Sequence, residues 1–144
     1  MSTGPRRILV AVDGSEPSGR AVTEVISWVN SGFAGDVHLV TVHHPVHSAV
    51  STFVGKDVVT DFHLEEGAKA LESARAALDG AGISHQDHIG VGQPAETIVQ
   101  FSRQLGVDGI VMGTRGLGLA AGALMGSVAR DVIAGAGVPV TLIK

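Results

Sequence analysis

Gly109-Ile110-Val111-Met112-Gly113-Thr114-Arg115-Gly116, then nine residues, then Gly126-Ser127, is the stretch that decides the fold. Its first four residues read as a buried strand, and Val128 to Ala134 reads as a helix. Glycines between a strand and a helix free backbone N–H groups to converge on an anion, usually a phosphate. The segment therefore reads as the phosphate-binding part of a small nucleotide-binding module.

Working outward, the same alternation fills the chain. Toward the C-terminus, Val138 to Ile143 forms a last strand beginning beside Pro139. Toward the N-terminus, Val107 to Met112 is a strand, and Ala95 to Leu105 is a helix after Pro94 with Ile98, Val99 and Phe101 apolar. Ile83 to Val91 is a strand polar enough to suit a sheet edge. Asp61 to Gly80 is a helix, because Ala68, Leu71, Ala74, Ala77 and Leu78 recur at three- and four-residue spacing. No period is convincing from His44 to about Thr60, which reads as a loop, with room for a short helical turn, that could lie over a ligand. Asp36 to His43 is a strand. A helix capped by Ser15 or Ser18 runs to about Asn30, with Ala21, Val22, Val25, Ile26 and Val29 on its inner side. Arg7 to Val12 opens the order as a continuous apolar strand.

This order predicts an α/β fold: an open, mainly parallel five-stranded sheet with helices on both faces, Rossmann-like in layout. The 144 residues suit one domain spanning 1–144 with a sizeable core. The net charge is −4, and the basic residues are scattered, so no nucleic-acid surface is expected. Cysteine is absent, which excludes disulfides and thiolate chemistry. Met1 to Pro5 does not fit a signal peptide, and Leu117 to Ala129 is too short and too rich in glycine and serine for a membrane span. No membrane association is expected, and the cytoplasm is the expected location.

Two familiar phosphate loops fail. A P-loop needs lysine before its final Ser or Thr, and Met125 precedes Gly126-Ser127. The dinucleotide fingerprint needs G-x-G-x-x-G after an early strand, where this chain has Asp13-Gly14-Ser15-Glu16-Pro17.

The spacing G-x-x-G, nine residues, G-Ser, with a first strand ending in Asp13, resembles the ATP-binding branch of the universal stress protein family. Ile8 to Ser15, the Gly92-Gln93-Pro94 turn, Asp108 to Gly113, Gly126 to Ala129 and Val138-Pro139-Val140 extend the likeness over nearly the whole chain. The resemblance implies an adenine nucleotide alpha hydrolase-like fold that binds ATP. It implies Asp13 beside the adenosine, with Val12 just before it. It implies Val42 meeting the adenine through its backbone, Met112 and Gly113 at the next strand end, and Arg115 and Gly116 near ribose and phosphates. Gly126, Ser127 and Val128 would hold the phosphate tail. Members that lack ATP binding lose or crowd these glycines; here Gly113, Gly116, Gly126 and Ser127 are all present.

Elementary chemistry is compatible with those roles. Ligands of open α/β sheets sit beyond the C-terminal strand ends. Ser127 offers a hydroxyl and a helix N-terminal N–H, and Arg115 is the only basic side chain between Val107 and Val128. Asp13 suits a ribose hydroxyl or Mg²⁺ held through water. Blander roles stay open: a turn cap for Asp13, a surface ion pair for Arg115, a helix cap for Ser127. His43, His44 and His47 lack a paired carboxylate pattern and read as loop residues without metal, His85 and His88 as exposed strand residues, and Trp28 as helix packing.

The expectation is a nucleotide-dependent regulatory protein of the stress response, with an unidentified protein partner. Binding would order the Gly113–Gly126 loop. The resemblance implies a homodimer, often paired through Val138 to Ile143, whose apolar character suits burial inside the monomer equally well, and slow ATP hydrolysis or autophosphorylation in some relatives. No residue stands out as a general base for water attack; Asp13 is the nearest candidate. A phosphoryl or adenylyl transferase, an interaction protein with a vestigial site, and AMP or cyclic AMP in place of ATP remain the alternatives.

Overall fold

The computed structural model describes residues 4–43, 69, 71–114 and 125–144. The strands are β1 (Arg6–Ala11), β2 (Ala34–His43), β3 (His85–Val91), β4 (Gly109–Gly113) and β5 (Val140–Ile143). The helices are α1 (Glu16–Asn30), α2 (71–80), α3 (Pro94–Leu105) and α4 (Ser127–Gly135). All strand pairs are parallel, in the order β3-β2-β1-β4-β5. The expected open five-stranded sheet with helices on both faces is the fold observed.

Strand alternation sorts the core into two layers. Ile8, Val10, Val12, Val37, Leu39 and Val111 pack with Ala21, Val22 and Val25 of α1 and Leu71, Ala74 and Leu78 of α2. Leu9, Ala11, Val40, Ile110 and Met112 pack with Ile98 and Val99 of α3 and Ala129 and Val132 of α4. Because both faces are covered, the central strands read as unbroken apolar runs.

Element ends shift for local reasons. Ser15 caps α1 by accepting from the Ser18 N–H, with Pro17 in the first turn. Val107 and Asp108 precede β4 and do not join it; the Asp108 carboxylate instead accepts from the Arg7 N–H at 2.8 Å. β5 starts at Val140 because Pro139 has no N–H for the ladder, although its carbonyl accepts from Ile110. β3 is an edge strand as its polarity suggests. Its histidines are nevertheless not exposed, because α2 and α3 lie on either side of that edge. The His85 side chain is 10% exposed and bridges Asp79 and Asp87; His88 is half-buried against His38 and Phe101. Trp28 packs on the core as expected, and its indole N–H donates to Glu24. The 44–60 loop, the start of the helix expected from Asp61, His44 and His47 lie outside the described residues. Among the described residues, no helix is long and apolar enough to cross a membrane.

Candidate functional site

The strand order reverses between β1 and β4: β2 and β3 lie on one side of β1, and β4 and β5 on the other. Such a reversal leaves a crevice at the C-terminal strand ends, where open α/β folds bind ligands. Val12 and Asp13 follow β1, Val42 lies at the end of β2, and Met112 and Gly113 end β4. The Val12 N–H donates to the Val40 carbonyl at 2.9 Å, which holds the first two strand ends together. From the register Val10↔Val111, Val12 falls level with Gly113.

The two halves of the glycine segment also meet. The Gly126 N–H donates to the Thr114 carbonyl at 2.7 Å, and the Thr114 N–H donates to Ile143 at 2.8 Å. This closes the chain after β4 onto the start of α4. Gly126 is the N-cap of α4 and, among the described residues, no side chain caps that helix; its first-turn N–H groups lie at the sheet end. Ser127 is therefore not the cap; it is the first helical residue, and it is exposed. A serine caps from one position earlier, and glycine occupies that position here.

Asp13 has a structural role of its own. Its Oδ1 accepts from the Ser15 N–H at 2.9 Å, shaping the turn into α1. The buried Ser18 hydroxyl donates to the Ser15 carbonyl at 3.0 Å, and its Oγ lies 3.4 Å from the Asp13 N–H. Gly113 is a second case, since its missing side chain makes room for the first turn of α1. Of the two serines expected as caps, Ser15 takes the position, and Ser18 lies inside the first turn of α1.

A cleft of about 580 Å³ opens between α3 and α4, lined among others by Pro94, Glu96, Val99, Arg103, Ser127 and Asp131. It takes in Val128 as well, but not Val12, Asp13, Val42, Met112 or Gly113. Ser127 and Val128 line this cleft, but the other described candidates gather at the strand ends, so the candidate site is placed there. Arg115 and Gly116 lie outside the described residues. Among the described residues, no group of three or more His, Cys, Asp or Glu is arranged to hold a metal ion.

The model of the universal stress protein family matches residues 4–144. The chain belongs to the universal stress protein family. Universal stress protein MJ0531 of Methanocaldococcus jannaschii is 31% identical over 96% of this chain and 82% of its own length. Among solved structures, hypothetical protein MJ0577 of the same organism superposes with a TM-score of 0.82 at 29% identity, covering 96% of this chain and 95% of that one. The universal stress protein from Archaeoglobus fulgidus, solved in complex with dAMP, is 27% identical with a TM-score of 0.63, covering 96% and 98%. These universal stress proteins share the fold on which the candidate residues meet.

Proposed function

We propose that this universal stress protein binds an adenine nucleotide, with ATP as the physiological ligand, and acts as a nucleotide-dependent regulatory switch. The observation that carries the reading is the meeting of Thr114 and Gly126, which sets the N-terminus of α4, capped by no side chain among the described residues, beside the β1 and β4 ends. The dAMP complex of the relative from Archaeoglobus fulgidus supports an adenine nucleotide as ligand.

In this reading, Val42 offers backbone groups to the adenine and Asp13 accepts from the ribose. Met112 and Gly113 line the sugar, Arg115 and Gly116 approach the phosphates, and Gly126, Ser127 and Val128 hold their tail. Mg²⁺ enters with the phosphates, with Asp13 as the nearby carboxylate acting through water. The Asp13 carboxylate already accepts from Ser15, so binding and signalling, not turnover, are the proposed activity. β5 is a sheet edge whose four residues are half-buried, which supports pairing of two copies through it.

Isothermal titration of nucleotide-stripped protein with ATP, AMP and dAMP, with and without Mg²⁺, tests this. Saturable binding near one nucleotide per chain, tightest for ATP, is expected. No binding up to millimolar concentrations of all three would leave an interaction protein with a vestigial site.

A further inference from the structure

His38 and His88 lie on the α3 face of the sheet, on neighbouring strands β2 and β3. His38 is 4% exposed. Its Nδ1 lies 3.1 Å from the His88 Nε2, with the rings stacked at a centroid distance of 5.4 Å. On the other side, the His38 Nε2 is 3.3 Å from the Asp36 Oδ1. The Asp36 Oδ2 accepts from the Arg7 Nε at 2.6 Å, and Arg7 donates through Nη1 to the Leu105 carbonyl of α3. His88 packs against Phe101 of the same helix at 5.4 Å. One chain of contacts thus ties β1, β2, β3 and α3 together.

Counting protons shows what this chain does. At 3.1 Å one of the two facing ring nitrogens supplies the N–H and the other its lone pair, whichever tautomer each ring takes. A singly protonated pair keeps one proton between the rings and keeps the bond. A doubly protonated pair sets two N–H groups against each other at 3.1 Å and cannot keep it.

We propose that the His38–His88 pair is an acid-sensitive latch that holds edge strand β3 onto β2 and α3. It is closed at neutral pH and opens as both rings protonate. Burial holds the His88 imidazole below the ordinary histidine range, the neighbouring His38 adds to this, and Asp87 partly opposes it. A ring whose pKa is lowered in the closed state takes up its proton more readily when the latch opens, so falling pH favours opening. The charged groups around the pair are Asp36 and Arg7, Asp108 bonded to the Arg7 N–H, and Asp87 on β3; α3 contributes the Phe101 ring. The opposite face of β3 carries His85 between Asp79 and Asp87, with Arg75 on Asp87; protonation there tightens contacts and works against the latch.

The latch reaches beyond its own strand. A Cβ on Gly90 would stand 2.6 Å from the Thr97 Cγ2, 3.0 Å from Phe101 and 3.5 Å from Val42. The Gly92 N–H donates to the His43 carbonyl at 2.9 Å. The position of β3 therefore sets the end of β2, where Val42 stands.

Hydrogen exchange of the β3 amides, followed by NMR at pH 7.5 and 5.0 and corrected for intrinsic rates, tests this in wild type and His88→Gln, each also carrying His85→Gln to silence the opposing site. Wild-type His88 should lose at least tenfold protection in β3 relative to β1 at pH 5.0, and His88→Gln should lose none. Equal loss with and without His88, or no loss with it, overturns the proposal. Imidazole ¹⁵N shifts of the unaltered protein give a second reading that needs no variant. Two coupled titration steps support the latch, and two independent ordinary histidines overturn it.

Discussion

The end of β4 lies hard against the first turn of α1: a Cβ on Gly113 would lie 2.6 Å from the Cβ of Pro17. The Pro17 carbonyl carbon and the Ser18 nitrogen stand at 3.0 and 3.1 Å from the same position, so backbone as well as side chain would have to move. Gly113→Ala should cost about 1–3 kcal/mol of stability through overpacking. Urea denaturation measures it, and an unchanged midpoint would mean that α1 does not sit this close. A loss of nucleotide affinity in a bulkier Gly113 variant would therefore report a displaced α1 before it reported a blocked ligand.

Asp13 holds the turn into α1, and a pair of variants separates that role from the proposed one toward a nucleotide. Asp13→Asn keeps an oxygen for the Ser15 N–H, whereas Asp13→Ala removes it. Asp13→Ala should weaken ATP binding by about tenfold, roughly 1.4 kcal/mol, and leave inorganic tripolyphosphate binding unchanged. Calorimetry with both ligands reads the split. Equal losses would reduce Asp13 to a turn residue.

The sheet and the placing of the described candidate residues at strand ends were legible because they follow from periodicity and from punctuation by glycine and proline. The run Ile8 to Val12 could only be a strand covered on both faces, and Gly113 and Gly126 marked a β-to-α passage. Side-chain chemistry on β3 was not legible. His85 and His88 look like solvent-facing residues in a polar strand, yet partners distant in sequence hold them: His38 lies 50 residues from His88. Periodicity reports which face a residue takes, not who waits there. The Gly113 contact with Pro17 was hidden for the same reason, since a glycine suited to a ligand and one suited to a helix look alike in sequence.

Ser15 should be worth about 1 kcal/mol as the cap of α1, since its Oγ accepts from the Ser18 N–H. Ser15→Ala should lower the unfolding free energy by that amount, while Ser15→Asp should restore most of it. Thermal melts of the three proteins decide it, and a neutral Ser15→Ala would assign the helix start to Pro17 alone.

His85 gives a pH dependence of known sign. Burial alone would lower its pKa, but hydrogen bonds and charge from Asp79 and Asp87 outweigh burial and raise it above 6.5. A raised folded-state value means that its stabilisation is complete below the unfolded pKa and fades as pH rises through the folded one. The stability gap between wild type and His85→Gln should thus be larger at pH 5.5 than at pH 9. A gap independent of pH would show that the charged form contributes nothing.

The reversal of strand order at β1 and β4 has one more consequence. Every other neighbouring pair of strands is joined by a single stretch of chain, but β1 and β4 meet only after most of the sequence has passed between them. That pair is the one seam in the sheet. Parting it would leave Val12, Asp13 and Val42 on one piece and Met112, Gly113 and Gly126 to Val128 on the other. A molecule seated across both sides would act as a rivet, so occupancy would be felt as resistance to splitting the protein along this line.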